Sequence, residues 1–197
     1  MNVIYMHTHD TGRYIEPYGY NIPTPKLMEF AKEGTIFRQA FCAGPTCSPS
    51  RAGLLSGMTP HSCGMLGLAH RGFQMDCSKH LVRFLNDNGY ETALAGVQHE
   101  MPEAGMIGYK KILDKQNYHM RNRSKFDSVK FDLENANIAA DYIKEKKDKP
   151  FFLSFGMYNT HKTFPKADSD INPNYIQSPW TQYDNRQNRE EMAGFLT

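Results

Sequence analysis

Cys47-Ser48-Pro49-Ser50-Arg51-Ala52-Gly53-Leu54-Leu55-Ser56-Gly57 decides how the rest of the chain is read. A turn-rich run, Ala43-Gly44-Pro45-Thr46, leads into the cysteine; a proline follows two residues on and an arginine four on. Proline holds φ near its helical value and lacks an N–H that the first helical turn leaves unbonded anyway. The spacing predicts a helix with Cys47 at or just before its N-terminus, where backbone N–H groups and the dipole favour negative charge. Arg51 falls one turn on, on the same face. A sulfur nucleophile, N–H groups and a guanidinium in one small volume suit a tetrahedral oxyanion.

Upstream, Asn2 to Thr8 reads as a short buried strand, with His9-Asp10-Thr11-Gly12-Arg13 at its C-terminal end, where open α/β sheets place ligands. Thr24-Pro25 reads as an N-cap and first helical residue, with Leu27, Met28 and Ala31 on one face and Gly34 closing the helix. Thr35 to Phe41 is expected to be a short strand that delivers the chain to the Cys47 turn. Downstream, Ser78 is expected to cap a helix with Leu81, Val82 and Leu85 inward and Gly89 at its end. Tyr90 to Val97 reads as the next strand, ending at Gln98-His99-Glu100, and Tyr109 to Leu113 as a further short one. Arg121, Arg123, Lys125 and Lys130 form a basic loop, read as a solvated face. Asp132 is expected to cap a helix carrying Leu133, Ala136, Ala140 and Ile143 inward. Phe151 to Phe155 reads as a buried strand followed by Tyr158-Asn159-Thr160-His161, and Asn188 to Thr197 as the start of an amphipathic helix. Strands alternating with helices predict an α/β fold, a mostly parallel sheet flanked by helices. Its polar clusters (His9-Asp10, Cys47–Arg51, His99 and His161) would gather at one sheet edge.

With 197 residues, 40% apolar and 22% charged, the chain can bury a sizeable core. A net charge of +2 makes no case for a nucleic-acid or membrane partner. Cys42, Cys47, Cys63 and Cys77 form no Cys-x-x-Cys pair, which argues against zinc and against a disulfide framework. Without a basic n-region or an apolar run of membrane length, the chain as written is expected to be cytoplasmic; a trimmed N-terminus would make it periplasmic or secreted. Asp10 offers a hard oxygen to calcium or magnesium. His99 and His161, with an ordinary pKa of about 6.5, can give a proton to a leaving group. His7, His61, His70, His80 and His119 read as structural, although His70-Arg71 could reach substrate.

Cys-x-Pro-Ser-Arg followed by Ala-x-Leu-Leu-Ser-Gly resembles the defining motif of the type I sulfatases, of the alkaline phosphatase superfamily. Gly64-Met65-Leu66-Gly67-Leu68 and Phe151-Phe152-Leu153 are similar to the N-sulfoglucosamine sulfohydrolase branch. The resemblance implies that a formylglycine-generating enzyme oxidises Cys47 to formylglycine, whose hydrate attacks sulfur. It implies that Arg51 and a calcium ion (or magnesium) hold the developing charge while His99 or His161 protonates the leaving group. His99 resembles the histidine of the family's Gly-Lys-x-His segment, with Val97 where that segment has lysine. His161 resembles the second histidine of its His-x-Pro-His loop. The metal ligands so implied are Asp10, His9 and Cys47, His9 standing where the family carries an aspartate.

The resemblance further implies a sulfated small molecule or glycan as substrate. Residues 1–197 would be the N-terminal part of a single catalytic domain, with the remaining metal ligands beyond it. Such a part is expected not to turn over substrate alone and to self-associate through an uncovered sheet edge. Two other readings stay open: a phosphoryl or phosphonate monoester hydrolase of the same superfamily, and a catalytically inactive interaction protein.

Overall fold

The computed structural model describes residues 1–113, 126–145, 147–177 and 183–195. His119, Arg121, Arg123, Lys125, Leu196 and Thr197 lie outside the described residues. Two compact units are present, Met1–His7 with Phe41–Tyr158, and Thr8–Ala40 with Asn159–Thr197.

The first unit is built on four parallel strands: β1 (Val3–His7), β2 (Glu91–Gly96), β3 (Lys111–Ile112) and β4 (Phe151–Gly156). Their order is β1-β4-β2-β3, so β4 is flanked on both sides. A strand covered on both faces reads as a continuous apolar run, and all six residues of β4 are buried. Side chains alternate across it. Phe152 and Leu94 pack with Ala52 of α2 (Cys47–Ser56), Cys63 of the short α3 (Pro60–Cys63), and Val82 and Leu85 of α4 (Leu81–Asp87). Phe151, Leu153, Phe155, Ala93 and Ala95 pack on the other face with Ala139 and Tyr142 of α5 (Ser128–Lys144). The expected parallel sheet flanked by helices is what forms. The strand expected to be buried at Asn2 to Thr8 forms as β1 but is not buried: it lies at the sheet edge, with Val3, Ile4 and Met6 exposed.

Parallel pairing sets the ends of three strands in one row, with His7 opposite Gly156 and Gly156 opposite Gly96. Gly96 has φ +75°, a conformation that L side chains rarely adopt, and a Cβ there would sit 2.2 Å from the Gly156 carbonyl oxygen. Val97 N–H donates to that same oxygen at 2.8 Å, carrying the ladder one residue further.

Four local expectations are corrected. Helix α5 starts earlier, capped by Asp127, whose side chain accepts from Lys130 N–H at 2.9 Å. Asp132 instead lies within the helix, buried, and accepts Tyr158 N–H at 2.7 Å. The larger aromatics Phe131 and Tyr142 claim the core side, which turns Leu133 and Ile143 outward. Helix α4 is capped by His80, whose Nδ1 accepts Val82 N–H at 3.1 Å; Ser78 sits in the preceding turn, bonded to Asp76. Thr35 to Phe41 forms no strand: Phe37 and Phe41 are exposed, and no described strand pairs with the segment.

The second unit contains α1 (Pro25–Lys32) and α6 (Arg186–Phe195). Thr24 precedes α1 but spends its side chain elsewhere, its Oγ1 accepting Glu16 N–H while the Glu16 carboxylate accepts Thr24 N–H. No residue of α1 is buried, so the expected inward face of Leu27, Met28 and Ala31 is not a core face. The core of this unit comes instead from Met192, Ala193 and Phe195 of α6 with Ile22 and Ile176. No helix among the described residues is long and apolar enough to cross a membrane.

The crowding at Gly96 makes a testable demand. Gly96→Ala should lower the unfolding free energy by more than about 2 kcal/mol, through a strained φ plus a backbone clash. Urea denaturation measures it, and an unchanged midpoint would show that the strand ends tolerate a methyl group.

Candidate functional site

Helix α2 begins at Cys47, with Thr46 as its N-cap and Gly57 closing it. Pro49 is therefore the third helical residue, still within the turn whose N–H groups have no helical partner. A close approach lets the preceding loop fold back on the helix: a Cβ at Gly53 would meet the Ala43 Cβ at 2.4 Å. Ser48, fully buried, accepts Ala69 N–H at 3.1 Å and so ties the first turn of α2 to the turn that carries His70.

Arg51 is only 6% exposed. Its Nη1 lies 2.5 Å from His7 Nδ1 and 3.1 Å from His7 Nε2. Guanidinium can only donate, so the facing imidazole must be neutral and present a lone pair. Parallel register delivers His7 to this place at the end of β1, and the ring packs so closely that a Cβ on Gly156 would meet its Cε1 at 2.6 Å. His7, read from sequence as structural, is thus a support of Arg51. Only the pairing of β1 with β4 reveals it.

The chain beyond β2 turns sharply at His99, whose φ of 65° is the sole positive value at a non-glycine residue among the described residues. Gln98 braces the turn, its Oε1 accepting from Glu100 N–H at 2.7 Å and Met101 N–H at 2.9 Å, its amide donating to Met101 C=O at 2.6 Å. A left-handed non-glycine residue costs roughly 1 kcal/mol or more and persists where surroundings impose it. The outcome is that a ring nitrogen of His99 lies within 4.8 Å of Cys47 Sγ. The His70 ring stacks on His99, with centroids 5.8 Å apart and planes 15° from parallel. Cys47, Arg51 and His99 all belong to the first unit. Val97, which the resemblance sets against a lysine, is buried with Phe131 and Tyr158.

Glu100 is 1% exposed, and burial pushes its carboxyl up to about 8, with the Arg51 charge pulling against that rise. The Arg51 charge offsets only part of what burial costs the ionised carboxylate. No motif pointed to Glu100; its only signal was adjacency to His99.

His9, Asp10 and His161 belong to the second unit and meet there. Strands β1 and β4 are neighbours, and the segments that follow them stay bonded: His9 N–H donates to Asn159 C=O at 3.0 Å and Asp10 N–H to Thr160 Oγ1 at 3.2 Å. The His9 side chain is 1% exposed and that of Asp10 53%, with Nδ1 of the first 3.0 Å from Oδ1 of the second. The His9 and His161 rings meet edge to face at 4.6 Å. One ligand atom from each of the three lies within 4.8 Å of the others, a cluster able to hold a metal ion. Two of the expected site residues, His9 and Asp10, are therefore together, and His161 joins them.

Comparison with known proteins decides the family. Residues 1–196 match the family model described as Sulfatase. The chain belongs to the sulfatase family. N-sulphoglucosamine sulphohydrolase of Homo sapiens is 28% identical to it over 159 residues, covering 78% of this chain and 30% of the human protein. A Bacteroides thetaiotaomicron VPI-5482 structure assigned as a sulfatase aligns with a TM-score of 0.69 and 20% identity, over 99% of this chain and 50% of that one. Another, solved with its substrate D-glucosamine-2-N,6-O-disulfate, aligns with a TM-score of 0.65 and 24% identity, over 84% of this chain and 36% of that one. These likenesses show the alkaline phosphatase-like sulfatase fold. This sulfatase-family chain spans about a third of the human relative and about half of the first of these structures.

The raised carboxyl of Glu100 has a consequence for stability. The folded protein keeps a proton that the unfolded chain releases near the ordinary 4.5. Stability from this group is complete below that value and is lost as pH rises through about 8. The slope is at most about 1.4 kcal/mol per pH unit. Denaturation series across this window should show that decline in the parent and a flatter profile in Glu100→Gln. Parallel profiles would mean Glu100 is ionised in the folded state throughout.

Proposed function

We propose that this chain is the nucleophile-bearing part of a hydrolase of sulfuric esters or sulfamates, acting on sulfated amino sugars. The observation that carries it is Cys47 in the first turn of α2 with Arg51 one turn on and a His99 ring nitrogen within 4.8 Å of its sulfur. The human relative's name and the glucosamine disulfate bound by a solved relative support the substrate class.

The net reaction consumes water, breaks the S–O or S–N bond, and leaves a sugar alcohol or amine and sulfate. Oxidised to formylglycine, residue 47 supplies a hydrated aldehyde as the oxygen nucleophile. The helix N-terminus and the Arg51 guanidinium carry the charge that develops on the sulfuryl oxygens, and fixed groups of this kind usually dominate such steps. His7 keeps Arg51 from swinging away, because a buried guanidinium with an accepting partner has little reason to leave it. His99, with a ring nitrogen within 4.8 Å of the Cys47 sulfur, gives the proton to the departing oxygen or nitrogen. His9 and Asp10 would hold a divalent cation, which would supply Lewis-acid neutralisation of negative charge.

The deciding experiment is peptide mass spectrometry across Cys47 after co-expression with a formylglycine-generating enzyme. The expected peptide has lost sulfur and two hydrogens, gained one oxygen, and reacts with a hydrazide. In the same preparation, calorimetric titration should show tighter binding of an N-sulfated glucosamine than of the matching phosphate ester, with the preference lost in Cys47→Ala; binding is the readout because a part of this length is expected not to turn over substrate alone. A peptide found only as the thiol, or preference for the phosphate ester, overturns the proposal.

A further inference from the structure

The cluster of His9, Asp10 and His161 has a composition that bears on which cation it takes. Calcium prefers six to eight oxygen donors. Here two of the three donors are imidazole nitrogens, which suit borderline first-row cations such as manganese, cobalt and zinc. His9 Nδ1 and Asp10 Oδ1 are 3.0 Å apart; an ionised carboxylate only accepts, so the imidazole hydrogen lies between them, and a cation bound by both atoms takes its place.

The tautomer of His161 points the same way. Its Nδ1 lies 2.5 Å from the Lys162 carbonyl oxygen. A carbonyl only accepts, so Nδ1 carries the hydrogen and Nε2 carries the lone pair. Metal-bound histidines characteristically donate their other ring N–H to a carbonyl or carboxylate, which fixes the ring and raises its basicity. His9 is packed with its side chain 1% exposed, so its nitrogens are presented by the fold and do not wander in solvent.

We propose that His9, Asp10 and His161 form a two-histidine, one-carboxylate site for a borderline divalent transition cation in preference to calcium. His161 is then a ligand, and the proton-donor role falls to His99 alone. The site rests on the cation role assigned above to His9 and Asp10, but its test reads binding and not turnover.

The test uses the purified chain, freed of metal by chelation and titrated with cobalt(II) chloride. Ligand-field absorption bands should appear, survive a large excess of calcium, and fade when manganese or zinc is added. His9→Ala, Asp10→Ala and His161→Ala should each weaken cobalt binding by roughly 10- to 100-fold or more, the loss seen even for groups behind the ligands. Circular dichroism shows whether each variant is folded. His161→Cys supplies a positive signal: a thiolate bound to cobalt adds a charge-transfer band in the near ultraviolet that the parent lacks. Absence of bands, displacement of cobalt by calcium, unchanged affinity in folded histidine variants, or no new band in His161→Cys would each overturn the assignment. Absence of bands with residue 47 found as formylglycine would reject the metal site and leave the hydrolase reading standing. Bands with residue 47 found only as the thiol would reject only the hydrolase reading.

Discussion

Parallel pairing of β4 with both β1 and β2 is the constraint on which the first unit rests. Because β4 is central, each of its neighbours is held in register against the same backbone. His7, Gly156 and Gly96 consequently end in one row. A shift of one residue would exchange the faces of the sheet, placing Phe152 where Leu153 now packs. It would also carry His7 away from Arg51. The hydrophobic pattern and the polar edge are therefore specified together, and the apolar faces of β4 supply most of the energy that holds the polar groups in place.

Around that row the electrostatics are economical. Arg51 is nearly buried, a state that a lone guanidinium would resist. His7 accepts its hydrogen bond and the Glu100 carboxyl interacts with it through charge. The neutral state of His7 and the raised pKa of Glu100 leave Arg51 with support that does not fully cancel its charge. A cation that is anchored yet incompletely neutralised is well placed to meet an anion.

How much of this was readable in the chain differs by element. Strands β2 and β4 were legible because buried parallel strands are continuous apolar runs between turn residues; β1 was legible as an apolar run, but its place at the sheet edge leaves it uncovered. The same residue types at Thr35 to Phe41 make no strand, since a local pattern carries no information about whether an edge is free to pair with it. Helix starts were placed to within a few residues, but Asp132 and Ser78 were misassigned as caps because Asp127 and His80 stood nearby with side chains that reach the N–H groups better. Cys47, Arg51 and His99 were singled out by their motifs, and the structure brings a His99 ring nitrogen within 4.8 Å of the Cys47 sulfur. That His7 supports Arg51, and that His9 and His161 meet across more than a hundred residues, depends on strand order. No spacing in the sequence encodes that order.

The burial of α2 also sets a timetable. Ser48, Pro49, Arg51, Ala52 and Gly53 are packed away, and Ser48 is bonded to the turn at Ala69. An enzyme that recognises the residues around Cys47 and oxidises it could grip them only while they are still extended. Formylglycine formation would then have to run ahead of folding, as a race between two rates. Long-range parallel pairing is intrinsically slow, since β1 must wait for β4, some 150 residues later, before its edge is satisfied. That delay lengthens the interval in which Cys47 can be reached, so under the proposed modification the sheet topology would also govern how much of the protein is converted.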